Sequence, residues 1–220
     1  MEFTDVVAKR RSIRAFHAKP VAKEIIERVF RLGLKAPSNC NTQPWYVHIA
    51  SGSKIEYLRS ALPDKFMAGQ LQLDYPYDGV YQGEFKVRQY AAAQALYDSL
   101  GIAREDKVKR HQAFMRNFTF FDAPHVAFFY LPEEFGLREA CDLGMFAQTV
   151  MLGLVNEGLG SCPQTALGFH AGTIKESLGI PDDRKLMFGL SFGYPIDEEP
   201  VNACLTDRAL FSELVTIHED

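Results

Sequence analysis

Cysteine is scarce in this chain, and its spacing excludes the usual ways in which cysteines build a fold. The four cysteines stand at positions 40, 141, 162 and 204, with no Cys-x-x-Cys pair and no histidine at metal-ligand spacing. Neither a disulfide framework nor a zinc site is therefore expected. The simplest interpretation is four reduced thiols in a cytoplasmic protein.

Long apolar runs are missing as well. The longest uncharged run of the most apolar region, residues 143–156, is short and is interrupted by glycine and glutamine, so it is not expected to span a bilayer. The first five residues lack the charged-then-apolar pattern of a secretory signal. We expect a soluble, cytoplasmic protein with no membrane partner.

Basic residues are in deficit overall. Lysine and arginine number 24 against 28 aspartates and glutamates, a formal net charge of -4, whereas nucleic-acid-binding proteins usually carry a basic surplus. A local basic cluster in such a chain is better explained by one small anion. The 220 residues, 47% of them hydrophobic, suit one domain with a real core, and no repeat or linker divides residues 1–220.

Hydrophobic periodicity predicts a mixed fold. Helices are predicted over residues 2–9, 24–36 (ended by Pro37), 85–118 (broken near Gly101) and 138–157; strands over 46–50, 124–131 and 185–194; an irregular aromatic segment over 63–84; and an extended C-terminal arm over 196–220. Consecutive helices between residues 85 and 118 favour an α+β fold.

A basic segment, residues 10–16, reads Arg-Arg-Ser-Ile-Arg-Ala-Phe. In an extended chain, Arg10, Ser12 and Arg14 point to the same side. The guanidinium fork suits phosphate because it donates two parallel hydrogen bonds. The alternative is a solvated basic run that follows a surface helix.

A polar loop, residues 37–45, is bounded by prolines and ends at the only tryptophan of the chain. Its Ser38, Asn39, Asn41 and Gln43 could read the donor and acceptor edge of a flat ring, although such residues also build turns. Together with the basic segment, this loop indicates a phosphorylated heteroaromatic cofactor, for which flavin mononucleotide (FMN) is the best candidate.

Five motifs in order resemble the FMN-dependent nitroreductase family. They are Arg10-Arg11-Ser12-x-Arg14-x-Phe16, Ala36-Pro37-Ser38-x-x-Asn41-x-Gln43-Pro44-Trp45, Gly158-Leu159-Gly160-Ser161 with Pro163-Gln164, Phe192-Gly193-Tyr194-Pro195, and Arg208. The resemblance implies a nitroreductase-like α+β fold, in which helices flank a central, mostly antiparallel sheet. It also implies an intertwined homodimer that exchanges its C-terminal arms and holds FMN at the interface.

The resemblance assigns roles by position. It places Arg10, Arg11, Ser12 and Arg14 on the phosphate and ribityl side of FMN, with Arg208 completing the phosphate clamp. Flavin contacts from the partner subunit would come from Pro37, Ser38, Asn39, Asn41 and Gln43. Contacts near the ring would come from Pro163, Gln164 and Thr165, with Gln148 as a further amide. Thr206 and Gln164 stand where some relatives carry Lys and Glu.

The implied activity is an oxidoreductase with FMN as cofactor and NADPH or NADH as electron donor. A nitroaromatic or quinone-like acceptor would use the same pocket after the nicotinamide leaves, which gives ping-pong kinetics. No catalytic side chain is expected, because the hydride chemistry belongs to the flavin. The alternatives are another flavin reaction, such as reductive dehalogenation or dehydrogenation, and a non-catalytic flavin-binding redox sensor.

Residues 63–121, called the excursion, resemble a helical insertion found in one subgroup of the family. An aromatic loop there could cover the active site and stack on flat substrates, so Tyr77, Tyr81 and Arg88 are candidate substrate contacts. The alternative is a packing loop at the dimer surface.

Overall fold

The centre of the fold is a four-stranded antiparallel sheet. The computed structural model describes residues 1–219, with strands β1 (Tyr46–Ser51), β2 (His125–Pro132), β3 (Gly160–Gln164) and β4 (Arg184–Gly193). Their order in the sheet is β1-β2-β4-β3, and each neighbouring pair is antiparallel. The predicted α+β fold with a mostly antiparallel sheet is confirmed.

Helices flank this sheet. Those described are α1 (Phe3–Lys9), α2 (Lys23–Gly33), α3 (Ser53–Met67), α4 (Gly83–Ser99), α5 (Lys107–Met115), α6 (Leu137–Asn156), α7 (Ala171–Leu178) and α8 (Phe211–Leu214). Across residues 1–219, none of them combines the length and apolar character that crossing a membrane would require.

Strand β2 separates two hydrophobic cores, and all eight of its residues are buried. Phe129 and its alternate neighbours face a core built with α2 and α6, whereas Phe128 and Tyr130 face a core built with α3 and α7. Because both faces of the strand are covered, its sequence is a continuous apolar run rather than an alternating one. Helices α2 and α6 approach closely at Gly33, where a Cβ would lie 2.6 Å from Val150 Cγ2.

Two sequence predictions about segment boundaries are wrong. Residues 63–67 of the predicted irregular segment belong to α3, and Gly83 and Glu84 belong to α4. Helix α3 continues through Pro63 because Ile55, Leu58 and Leu62 bury one face at helical spacing, and this packing outweighs the lost backbone hydrogen bond. Helix α2 ends at Gly33, not at residue 36, because residues 34–36 form turns.

The C-terminal arm is partly helical instead of extended throughout. Residues Pro200–Ala203 form a 3-10 turn that buries Val201 and Asn202, and the arm beyond it is largely exposed. Its short helix α8 reaches α4 of the same chain, where Glu213 lies 3.5 Å from Arg88. The predicted domain and arm both end at Asp220, which lies outside the described residues.

Histidine burial makes the stability of the fold sensitive to acid. Burial lowers the pKa of His48, His125 and His170 below the ordinary value of 6.5. His125 Nε2 accepts a hydrogen bond from the Val21 N–H at 2.9 Å, which requires that nitrogen to be unprotonated.

We therefore expect the free energy of unfolding to fall as the pH drops below about 6.5, because the unfolded chain then binds more protons than the folded one. Urea unfolding of the apoprotein between pH 8 and pH 5 measures this. His125→Gln should shrink the decrease, while the exposed control His111→Gln should leave it unchanged. A flat profile for the unsubstituted protein would contradict the expectation.

Candidate functional site

The basic segment runs beside the edge strand β3. Ser12 forms a parallel bridge with Ser161, and the Ile13 N–H donates to the Ser161 carbonyl at 2.9 Å. The two chains approach so closely that a Cβ on Gly160 would lie 2.6 Å from Ile13 Cγ1. Glycine at position 160 therefore allows the basic segment to lie flat against the sheet edge.

The basic segment and the C-terminal arm form one cleft, which we call the arginine cleft. Its volume is about 420 Å³, and it is lined by Val7, Ala8, Arg10, Arg11, Ser12, Arg14, Cys204, Leu205, Thr206 and Arg208. All five residues predicted on the phosphate side of the cofactor therefore meet in one place, although Arg208 lies far along the chain from the others.

The charge in the arginine cleft is not balanced from within the described chain. Among residues 1–219, none of its four guanidinium groups forms an ion pair within 4.0 Å. Within the same described residues, the buried Nε of Arg11 has no hydrogen-bond partner. A buried donor without a partner is costly, and a phosphate group carries nearly two negative charges. The cleft thus fits the phosphate end of a nucleotide such as FMN.

Asn202 fixes the backbone of the basic segment, and sequence reasoning missed it. Its fully buried side chain accepts hydrogen bonds at Oδ1 from the N–H groups of Arg14 (2.7 Å) and Ala15 (3.2 Å). Its Nδ2 donates to the carbonyls of Ala15 (2.8 Å) and Ile196 (2.9 Å). No local pattern around residue 202 signals this role; its position shortly before Arg208 is the only hint.

Arg208 is held by its own turn. Its Nη1 donates to the Thr206 carbonyl, the Thr206 hydroxyl and the Asp207 carbonyl, each at 2.9 Å. Threonine, which stands where some relatives carry lysine, thus orients the guanidinium instead of adding a second charge.

The three residues predicted near the flavin ring face in different directions. Pro163 and Thr165 are exposed, whereas Gln164 is buried. The Gln164 Nε2 donates to the Asn117 carbonyl at 2.9 Å, and its Oε1 accepts from the Ser191 hydroxyl. The Gln164 side chain is thus engaged inside the fold, so a ring contact from this residue would have to come from its backbone.

The polar loop lies apart from the arginine cleft, and none of its residues lines that cleft within the same chain. The loop is anchored to α6 by Asp142, whose Oδ2 accepts a hydrogen bond from the Asn39 N–H at 3.1 Å. Within the loop, Ser38 Oγ accepts a hydrogen bond from the Gln43 N–H at 3.0 Å. Cys40, Asn41 and Gln43 have φ angles of 49°, 57° and 50°. Three non-glycine residues in the left-handed region store strain of a kind that clusters at functional sites.

The amide predicted on α6, Gln148, does not line the arginine cleft, and the hydrogen bonds of the polar loop do not involve it. Gln148 is exposed on the same face as Met145, and Pro37 is exposed at the start of the polar loop. Within one chain, the predicted cofactor residues therefore do not all line one site.

The excursion places its tyrosines at the surface. Tyr77 and Tyr81 are about half exposed, and the Tyr77 ring centroid lies 6.0 Å from that of Phe169. Burial, followed by the neighbouring Tyr81, raises the pKa of Tyr77. Arg88 is paired with Glu84 at 3.3 Å and with Glu213 at 3.5 Å, and it lines a second groove together with Arg208.

An antiparallel α+β fold with an arginine cleft at the sheet edge defines a nucleotide-binding class of protein. Within it, residues 7–194 match the model of the Nitroreductase family, and the chain belongs to that family.

Relatives of known name cover nearly the whole chain. The chain is 39% identical over 209 residues to the nitroreductase NfnB of Mycolicibacterium smegmatis, covering 94% of this chain and 89% of the relative. It is 29% identical to a 4-nitrobenzoate reductase of Pseudomonas putida, covering 95% and 92% of the two chains. The crystal structure of the FMN-dependent nitroreductase NfnB from Mycobacterium smegmatis in complex with NADPH superposes with a TM-score of 0.94, at 37% identity over 98% of this chain and 97% of the other.

Proposed function

We propose that this protein is an FMN-dependent oxidoreductase that uses NADPH or NADH to reduce nitroaromatic or quinone-like acceptors. The observation that carries the proposal is the arginine cleft, whose four guanidinium groups lack an internal counterion within the described chain. The named relatives, an FMN-dependent enzyme crystallised with NADPH and a 4-nitrobenzoate reductase, support the chemistry. When bound, FMN supplies hydride transfer between the nicotinamide and the acceptor.

The residues of the chain bind and orient the cofactor. Arg10, Arg11, Arg14 and Arg208 would neutralise the phosphate, and the Ser12 hydroxyl would add a hydrogen bond. The backbone at Pro163 and Gln164, together with Thr165, would lie beside the ring. Donor and acceptor are expected to occupy the pocket in turn, so initial rates should show ping-pong kinetics.

A homodimer would complete this site. The described chain exposes large apolar side chains on the arm and on α6, namely Leu137, Met145, Leu205, Leu210, Phe211, Leu214, Val215 and Ile217. Six of these eight lie within residues 205–217, and a cluster of exposed apolar side chains is typical of an interaction surface. We infer that a second copy covers them and brings its Pro37, Ser38, Asn39, Asn41, Gln43 and Gln148 to the flavin, with the arms exchanged beyond Arg208, which stays in the cleft of its own chain. Sedimentation that gives a single-chain mass would overturn this inference.

The cytoplasm is the compartment we propose. All four cysteines are free, and Cys40 and Cys141 are exposed. Exposed free thiols suit a reducing environment.

The test of the proposed function is spectroscopic. The purified protein should show a flavin spectrum that bleaches when NADPH or NADH is added without oxygen and recovers when 4-nitrobenzoate or menadione follows. Bound flavin that does not bleach would favour a redox sensor or another flavin reaction. A colourless protein that FMN cannot reconstitute would overturn the assignment.

A further inference from the structure

The part of the excursion that follows α3 is attached to the rest of the protein at Gln72. The Gln72 N–H donates to the Phe169 carbonyl at 2.8 Å, and the Thr173 hydroxyl lies 3.4 Å from Gln72 Oε1. The Gln72 side chain occupies the space beside Gly172, where a Cβ would lie 2.5 Å from Gln72 Oε1. These contacts hold the segment around Gln72 against the start of α7.

Two residues further on, a buried ion pair adds a second attachment. Lys175 Nζ lies 2.8 Å from Asp74 Oδ1, and the exposed fractions of the two side chains are only 9% and 10%. The other carboxylate oxygen of Asp74 accepts a hydrogen bond from the Leu186 N–H on β4 at 2.8 Å. Asp74 thus links the excursion to both α7 and β4.

A buried ion pair is a poor way to gain stability, because desolvation of the two charges offsets most of their attraction. Its geometric effect is more specific, since the carboxylate must meet one ammonium group and one N–H group at fixed positions. The pair therefore determines where the chain leaves the body of the protein. Beyond this point few side chains are buried, since Val80 and Tyr81 are exposed, and Gly79 and Gly83 adopt left-handed φ angles of 67° and 55°.

The attached stretch leads directly to the tyrosines and to the predicted flavin wall. Tyr77, three residues after Asp74, packs on Phe169. Phe169 ends the 3-10 turn Thr165–Phe169, which begins immediately after Gln164. The ion pair, Tyr77 and the residues predicted beside the ring therefore belong to one connected piece of structure.

We propose that the Asp74–Lys175 ion pair is a positioning element that holds the Tyr77 segment against the Thr165–Phe169 turn and thereby sets the affinity for flat aromatic acceptors. The inference about acceptors rests on the proposed function, whereas the inference about position does not. Asp74 and Lys175 act through the tyrosine segment and touch neither cofactor nor acceptor.

The first measurement is hydrogen exchange in the full-length protein, which needs no activity. In Lys175→Met, amide exchange at Gln72 and Leu186, whose N–H groups donate to the Phe169 carbonyl and to Asp74 Oδ2, should accelerate by about tenfold, because a fixed attachment has been lost. Exchange in β2 should be unchanged. The matched control is Glu157→Gln, which breaks the exposed Arg28–Glu157 ion pair (2.8 Å) far from the excursion, and it should leave Gln72 and Leu186 unaffected. Unchanged exchange at these two amides in Lys175→Met would overturn the positional role.

The second measurement is reoxidation of dithionite-reduced holoenzyme in single turnovers. The 4-nitrobenzoate concentration giving the half-maximal rate should rise about tenfold in Lys175→Met, since a small misplacement of a stacking group weakens orientation. Ferricyanide, which needs no stacking, should react as before, and FMN content should be unchanged. Lys175→Arg should restore most of the affinity for 4-nitrobenzoate.

Two outcomes of that measurement contradict the proposal: an unchanged half-maximal concentration, or an equal loss with both acceptors, which would indicate a purely structural role. If Lys175→Met does not fold because it leaves a buried carboxylate unpaired, the neutral pair Asp74→Asn with Lys175→Met replaces it. An unsubstituted protein that ferricyanide reoxidises and 4-nitrobenzoate does not would instead contradict the proposed acceptor class, and the exchange result would still decide the positional role.

Discussion

Asn202→Ala is expected to lose both stability and cofactor. The substitution removes four hydrogen bonds made by one fully buried side chain, two to N–H groups and two to carbonyls of the surrounding backbone. Because the stranded partners remain buried, the free energy of unfolding should fall by about 3–4 kcal/mol. Urea unfolding of the apoprotein and the flavin-to-protein absorbance ratio of the purified protein measure the two effects.

The control series separates the two halves of the carboxamide. Asn202→Asp keeps the acceptor that faces Arg14 and Ala15 but places a buried carboxylate oxygen against the carbonyls of Ala15 and Ile196, so it should be destabilised at least as much as the alanine variant. Asn156→Ala, at the exposed end of α6, should match the unsubstituted protein. Full flavin retention in Asn202→Ala would show that the basic segment keeps its position without this anchor.

Arg14→Ala and Arg208→Ala are expected to weaken FMN binding far more than they weaken the fold. Each removes charge-assisted hydrogen bonds to the phosphate, worth about 1.5–3 kcal/mol, so the dissociation constant should rise about 10- to 100-fold. Titration of the apoprotein with FMN, followed by flavin fluorescence, gives the constant. Urea unfolding should show a change of less than about 1 kcal/mol, because neither guanidinium group forms an ion pair within the described chain.

Arg14→Lys tests the geometry of this interaction, since it keeps the charge but loses the bidentate fork. Its dissociation constant should fall between those of Arg14 and Arg14→Ala. Arg28→Ala, whose side chain pairs with Glu157 on the surface, is the matched control and should bind FMN normally. A constant within twofold of the unsubstituted protein for both cleft variants would contradict the phosphate role.

Elements with strong periodicity could be predicted from sequence, and those defined by tertiary contacts could not. The buried run of β2 and the apolar helix α6 fall within one residue of their predicted bounds. Strand β3 carries Pro163 and two small residues and has no alternation, and it is a strand because β4 and the basic segment pair with it. An edge strand tolerates proline because one side of it lacks a neighbouring strand, so the missing N–H costs no ladder hydrogen bond. The proline also makes such a strand hard to recognise from sequence.

The candidate site also contains residues that could be predicted from sequence and residues whose roles depend on tertiary contacts. The spacing of Arg10, Ser12 and Arg14 predicts that they face one side, whereas only the family resemblance assigns Arg11 and Arg208; the cleft brings all five together. Asn202 could not be found, since its role depends on a fold-back across 188 residues. The orientation of Gln164 was equally hidden, because it is set by Ser191 and Asn117, two residues on other elements.

The long separation between Arg14 and Asn202 has a consequence for the making of the protein. At about 5–20 residues per second, the 188 positions between the two hydrogen-bonded residues correspond to about 10–40 s of translation. The basic segment is among the first parts of the chain to leave the ribosome, yet its anchor and Arg208 are among the last. Cofactor capture is therefore a late event in biogenesis, because a nascent chain that stalls before residue 202 has neither the anchor of the basic segment nor Arg208.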